Sequence, residues 1–359
     1  MMMSSENLTV AVLGATGLVG SLIIKLLEER NFPVATLKPL ASKRSAGGTI
    51  LFRGQAVTVQ EATPDAFEGV DMVLASAGGS VSAALAPEAV KRGAVVIDNT
   101  SHFRMHADVP LVVGGVNDDD VLKHQGIIAN PNCSTAQLMP VLKTLRDLAG
   151  LERVVISTYQ SCSGGGTEAL SELLNEATHN LQHDRLEHRT DAFSPTSAFK
   201  RNKFARPIAF NLIPQIDVFS TEGDEAGYTK EELKLIHETK KILHLPNLAI
   251  TATAVRVPVL VGHSESVTVG LQRPASLNEI HTALAHTPDV VVATTAEDFH
   301  TPRETAGTDP VYVSRLRKDT SNLEKGINFW CVSDNLRIGA ALNAVRIAEA
   351  VVRLNALKL

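Results

Sequence analysis

The sequence predicts an α/β protein: a Rossmann-type doubly wound parallel sheet, followed by a second, mixed α+β domain. Three observations predict it. A short apolar run, Leu8 to Leu13, ends in Gly14-Ala15-Thr16-Gly17-Leu18-Val19-Gly20 and passes into a helical pattern with Leu22, Ile23, Leu26 and Leu27 on one side. Strand-like and helical segments then alternate as far as residue 133, the order that a parallel sheet with crossover helices requires. Past that point the texture changes, and a chain of 359 residues with 44% hydrophobic content is long enough to bury two cores.

The elements follow in order. Ala35 to Leu40, Asp71 to Ala75, Ala94 to Ile97 and Gly126 to Ala129 read as strands, and Val81 to Arg92 reads as a helix between two of them. A helix is expected through Thr135 to Leu148 and a strand from Arg153 to Tyr159. A polar stretch spans Leu181 to Arg206, and strand-like runs lie near Ile250 to Val261, Val311 to Leu316 and Ile327 to Val332. Gly339 to Leu357 carries apolar residues at helical spacing and is expected to pack back on the first domain. The division is therefore 1–133 plus 335–359 for the first domain and 134–334 for the second.

A formal net charge of −5, without a long single-sign run, gives no electrostatic reason for a nucleic-acid or membrane partner and leaves small molecules as the expected ones. Met1 to Asn7 has no signal-peptide character and no run of 18 uncharged apolar residues occurs, so a cytoplasmic protein is expected. Three scattered cysteines, Cys133, Cys162 and Cys331, form neither a disulfide framework nor a zinc pair, and no metal is expected.

The glycine run between strand and helix suits a pyrophosphate, because Gly14 and Gly17 let the backbone approach it. Thr16, Leu18 and Val19 then start a helix whose free N–H groups and positive end face the anion. Tight packing is the plain alternative. The second strand separates NADP from NAD: from Asn31 to Gln60 there is no acidic residue to bind ribose hydroxyls. The stretch Leu40 to Gly47, with Ser42, Lys43, Arg44 and Ser45, supplies hydroxyls and cations able to hold a 2′-phosphate.

Cys133 stands in Asn130-Pro131-Asn132-Cys133-Ser134-Thr135, where an extended segment turns into a helix. A helix N-terminus or a nearby imidazolium lowers a thiol pKa, so the position suits a nucleophile. Cys162 and Cys331 read as packing. Among the 12 histidines, His263 is set apart by its place at the end of the apolar run Arg256 to Gly262, where an imidazole of near-neutral pKa suits an acid/base role.

Taken together, these residues resemble the aspartate-semialdehyde dehydrogenases of bacterial type. The likeness runs from Gly14 to about Glu349 and includes Arg44-Ser45-Ala46-Gly47, Asp98-Asn99-Thr100-Ser101, Phe103-Arg104-Met105, Ser157-Thr158-Tyr159-Gln160, Arg256 to Glu265 and Asp334-Asn335-Leu336-Arg337. The resemblance implies reductive dephosphorylation of L-4-aspartyl phosphate by NADPH, with release of phosphate, in the synthesis of lysine, threonine and methionine. It implies Cys133 as the acyl-thioester, His263 as acid/base, Gln160 and Asn132 as orienting groups, and Arg256 for the substrate carboxylate. Arg104 and Lys234 would meet phosphate and Glu231 the ammonium; by spacing alone Glu231 and Lys234 read as a solvent-facing helix pair. Ser163, Gly164 and Asn335 would sit near the nicotinamide. The second domain would be catalytic and dimerising, giving a homodimer or a dimer of dimers.

Overall fold

The computed structural model describes residues 8–183 and 199–357. Its first half runs β1 (Leu8–Leu13), α1 (Leu18–Glu29), β2 (Val34–Ala41), a β3–β4 hairpin (Thr49–Phe52, Gln55–Thr58), β5 (Gln60–Glu61), β6 (Met72–Ala75), α2 (Gly79–Lys91), β7 (Val95–Asp98) and β8 (Ile127–Ala129). The order across the sheet is β5-β2-β1-β6-β7-β8, parallel throughout. β6 and β7 are buried along their whole length, the continuous apolar reading of a parallel sheet covered on both faces. The strand order reverses at β1, which opens a crevice beyond the carboxyl ends of β1, β2 and β6.

α3 (Cys133–Ala149) leads out of this sheet into β9 (Leu151–Gln160) and α4 (Gly166–His183). Then come α5 (Lys230–Ile242), β10 (Ala249–Arg256), β11 (His263–Leu271), α6 (Leu277–Ala285), β12 (Val290–Val292), α7 (Pro302–Thr305), β13 (Val311–Lys318) and β14 (Gly326–Ser333). The second sheet is mixed, in the order β10-β9-β11-β14-β13-β12. α3 covers the inner face of β9, β11 and β14, and α6 packs against β12 and β13. A π-helical turn, Arg337–Ala341, precedes α8 (Leu342–Arg353), which returns to pack against α1 and β7 of the first sheet.

Three sequence expectations change. The strand expected through Val261 stops at Arg256, because Pro258 has no N–H to donate to a ladder and Gly262 turns the chain at φ +97°. His263 therefore opens β11 instead of closing an apolar run. The last helix starts at Leu342, since the π turn occupies the residues from 337 to 341. Of the polar stretch expected over 181–206, residues 184–198 lie outside the described residues, as does the reading of Met1 to Asn7.

Candidate active site

Two clefts meet between the sheets. The first, of ≈ 580 Å³, lies at the switch point and is lined by Gly14, Thr16, Gly17, Ser42, Arg44, Ser45 and Ser76, among others. Its floor needs glycine. Gly14 sits at φ +87° and any Cβ there would run into the Ser76 carbonyl, while a Cβ on Gly20 would strike the Gly14 carbonyl. Gly17 caps α1 without a side-chain hydrogen bond, so the first N–H groups of the helix stay open to an anion. Leu18 and Val19 begin that helix, and Val19 faces the second cleft.

The second cleft, of ≈ 270 Å³, shares Ser76 with the first and is lined by Arg104, Asn132, Cys133, Gln160, Ser163, Gly164, Glu231, Lys234, Arg256 and Asn335 with their neighbours. The sheet assembles much of it as one row. Arg256 lies opposite Gln160 at the ends of β10 and β9, and His263 lies opposite Ser333 at the ends of β11 and β14. Ser264 pairs with Tyr159, so one step further along the register puts His263 beside Gln160. Across from this row stands Cys133, the first residue of α3.

The helix start is fixed by Asn132. Its side-chain oxygen accepts from the Ser134 and Thr135 amides at 2.9 and 3.3 Å, its Nδ2 donates to Glu231 at 2.8 Å, and its backbone N–H donates to Glu238 at 2.6 Å. Gln160 Nε2 donates to the same Glu231 oxygen at 3.1 Å, and Lys234 Nζ, 3.1 Å from the other oxygen, also pairs with Asp217 at 3.0 Å. Arg104 is held by Glu238 at 3.0 Å and by the Asn130 and Asn99 carbonyls. Arg256 donates to the Ser161 carbonyl at 2.7 Å. The helix-pair reading of Glu231 and Lys234 is thus correct as geometry, but the pair faces the cavity and Glu231 is buried.

His263 is fully buried. Its Nδ1 accepts from the Ser161 amide at 3.1 Å, which assigns the proton of the neutral ring to Nε2. Nε2 has no protein partner, and a Cβ on Gly164 would stand 3.3 Å from it and 3.1 Å from Arg256 Nη1. Nε2 is thus buried directly behind Gly164, which lines the cleft, and a side chain at 164 would crowd it. Asn335 Oδ1 collects the Ser161 and Ser163 hydroxyls and the Gly262 amide at 3.1, 3.0 and 2.8 Å, joining the turn before β11 to the end of β14.

The electrostatics separate the groups. Burial would raise Glu231, but the Lys234 charge and hydrogen bonds from Asn132, Lys234 and Gln160 hold it down at about 2. Burial and then the Arg256 charge bring His263 down to about 3. The expectation of a lowered Cys133 fails here: burial first, and the Glu231 charge second, push the thiol up to about 12 against the pull of Arg256 and Arg104. The pair rests as thiol and neutral imidazole. Cys162 packs in a small apolar cluster with Ala169, Leu173 and Ile208, and burial lifts it to about 11, as a packing cysteine should be.

Several residues of this site were not singled out from the sequence. Glu238 ties the Asn132 amide to Arg104. Gly339, in the π turn, lies so close to the start of α3 that a Cβ would stand 2.7 Å from Cys133 Cβ. Asn343 bonds Asn130, the Val112 carbonyl and the Gly114 amide, anchoring α8 beneath the loop that leads to Cys133. Among the described residues no group of three His, Cys, Asp or Glu is placed to hold a metal, and no helix is long and apolar enough to cross a membrane.

Residues 9–124 match the model of the semialdehyde dehydrogenase NAD binding domain, and residues 142–338 match that of the semialdehyde dehydrogenase dimerisation domain. The chain is 49% identical to the aspartate-semialdehyde dehydrogenase of Bacillus subtilis (strain 168), over 98% of this chain and 99% of that one. The crystal structure of aspartate semialdehyde dehydrogenase II complexed with ASA from Vibrio cholerae superposes with a TM-score of 0.90 at 43% identity, covering 97% and 99% of the two chains. The Candida albicans enzyme with NADP gives a TM-score of 0.73 at 26% identity, over 97% and 99%.

Proposed function

The chain belongs to the aspartate-semialdehyde dehydrogenase family, and from that premise we propose that it reduces L-4-aspartyl phosphate to L-aspartate 4-semialdehyde with NADPH, releasing phosphate. One observation carries the reading: a thiol, an amide, two guanidiniums and an ammonium–carboxylate pair line one cleft, with the His263 imidazole buried directly behind Gly164, and this cleft meets a glycine-floored nucleotide cleft at Ser76.

Each part of the substrate has an answering group. The planar fork of Arg256 suits the α-carboxylate, Glu231 the ammonium, and Arg104 with Lys234 the phosphate. Because Glu231 raises the Cys133 thiol, an ammonium bound there offsets that effect and the substrate itself promotes the thiolate. The Cys133 sulfur attacks the acyl carbon as its S–H bond breaks, the acyl–oxygen bond breaks, and the departing phosphate carries the thiol proton away, leaving a thioester on the enzyme. Gly14, Thr16, Gly17, Leu18, Val19, Ser42, Arg44 and Ser45 would hold NADPH, with Ser163, Gly164 and Asn335 at its nicotinamide end, and the cofactor would supply the hydride.

His263 handles the protons. In the tautomer fixed by Ser161 its Nε2–H serves the carbonyl oxygen as negative charge develops, and the freed nitrogen takes the proton back when the carbon–sulfur bond breaks and aldehyde departs. Ser161 Oγ, 3.1 Å from Nδ1, is placed to follow a change of tautomer. Gln160 and Asn132 hold Glu231 and the helix start in register. The domains divide at 1–133 plus 335–359 for nucleotide and 134–334 for catalysis and dimerisation, in a cytoplasmic homodimer or dimer of dimers that feeds lysine, threonine and methionine synthesis.

The test runs the reaction backwards: purified protein with L-aspartate semialdehyde should reduce NADP only when phosphate is present, and NAD much less. Activity independent of phosphate would remove the acyl-phosphate step. A preference for an N-blocked semialdehyde would remove the role given to Glu231.

A further inference from the structure

Glu265 is fully buried beneath this site, and the mechanism above does not use it. It stands on β11 two residues after His263, hence on the same face, and its neighbours across the sheet are Thr158 on β9 and Cys331 on β14. It therefore lies one rung beneath the row of Arg256, Gln160, His263 and Ser333. From the opposite side Gln137, one helical turn after Cys133 on α3, reaches the same place: Ser333 Oγ donates to its Oε1 at 2.6 Å. Gln137 Nε2, a donor, and both Glu265 oxygens are buried with no hydrogen-bond partner, and the Gln137 amide is the neighbouring group that offsets the burial of this carboxyl.

Packing gives no reason for an acid here. The next inward residues of β11, Val267 and Val269, are buried and apolar, and an apolar side chain at 265 would leave no oxygen unpaired. Burial also pushes the Glu265 carboxyl well above its ordinary value. The sign follows: an unfolded glutamate ionises above about 4.5 while the folded one holds its proton to higher pH, so folding loses stability as the pH rises past that point. At neutral pH the acid is retained against stability.

We propose that Glu265 is a positioning residue for the reaction: with Gln137 it fixes the register between the helix that begins at Cys133 and the strand that begins at His263. Through these two contacts the sulfur and the imidazole keep their separation while the acyl group is attached, transferred and released. The inference rests on the roles given to Cys133 and His263.

Three variants of the full-length protein test it. Glu265→Gln keeps an oxygen for the Gln137 amide and should keep kcat and KM within about twofold of the parent, with a Tm at pH 7 that is not lower. Glu265→Leu fills the space without that oxygen and should lose about tenfold to a hundredfold in kcat with KM nearly unchanged, the cost of a misplaced reacting group. Gln137→Leu removes the other half of the pair and should give the same split, which keeps the proposal testable if Glu265→Leu does not fold. A folded Leu variant at either position with the parent's kcat overturns the proposal, as does a Gln variant that loses as much kcat as the Leu variant. The rate at which iodoacetamide alkylates Cys133 reads the same geometry without substrate and should change in the Leu variants but not in Glu265→Gln. A parent protein that is alkylated at Cys133 but does not turn over semialdehyde would refute the proposed reaction and leave the positioning comparison to the alkylation rates.

Discussion

The two clefts that meet at Ser76 are built by opposite means. The nucleotide cleft is made of backbone: Gly14 and Gly20 clear the space, the start of α1 presents N–H groups, and Ser42 and Arg44 are exposed at its edge. The catalytic cleft is made of buried side chains whose charges are already matched, Glu231 by Lys234 and Arg104 by Glu238. A backbone cradle tolerates exchange of its exposed side chains, because the shape does not depend on them. A buried charge network does not, because removing one member leaves another unpaired in low dielectric.

The largest expected effect breaks the catalytic cleft alone. Cys133→Ala removes the atom proposed to carry the acyl group and should reduce turnover by at least ~10³-fold. The nucleotide cleft does not include Cys133, so NADPH binding, followed by fluorescence titration, should stay within about twofold. Equal loss of both would mean that the cysteine supports the fold and that the two clefts are not separable.

Arg256→Ala comes next. It takes away the charged partner proposed for the substrate carboxylate and also frees the Ser161 carbonyl, so about 1.5–3 kcal/mol is at stake. That corresponds to roughly 10–150-fold in kcat/KM, measured with the semialdehyde at fixed NADP. A negligible change would take Arg256 out of substrate binding.

The same contrast explains what the sequence discloses. Backbone devices are written in residue type: a glycine at φ +87° and an N-cap asparagine are required by geometry, so Gly14 to Gly20 and Asn130 to Thr135 were legible with their elements. Buried charges are not written that way. Glu238 and Glu231 lie on a helix reading Lys-Glu-Glu-Leu-Lys-Leu-Ile-His-Glu, which by pattern is an ordinary solvated face. Only tertiary packing tells those acids from exposed ones. The resemblance supplied Glu231 and Lys234 but not Glu238, and Gly339 is seen to be needed only once the π turn is placed against Cys133. The lowered thiol expected of a helix start failed for the same reason, since burial and Glu231 are properties of the assembled site.

Gly14→Ala attacks the cradle where exchange is not tolerated. The left-handed backbone and the Ser76 carbonyl together should cost about 1–3 kcal/mol of stability. Weaker NADPH binding should accompany the lower Tm, while Cys133 alkylation stays near the parent rate. Alkylation that changes in step with NADPH affinity would show that the two clefts are coupled through Ser76 rather than merely adjacent.

Arg44→Ala should have the smallest effect and is the sharpest test of cofactor choice. Arg44 is exposed, so its ion pair with a 2′-phosphate is screened by water and worth about 1 kcal/mol, close to a fivefold change in affinity. The loss should fall on NADPH alone, because NADH offers the loop no phosphate and the glycine floor beneath it is unchanged. Titration of both cofactors at low and moderate salt measures this directly: the NADPH penalty should shrink as salt rises, and the NADH affinity should not move. A parallel loss for both cofactors would mean that Arg44 shapes the turn after β2, where the Ser45 amide bonds the Ser42 carbonyl at 2.9 Å, and that the preference for NADPH is set elsewhere in the cleft.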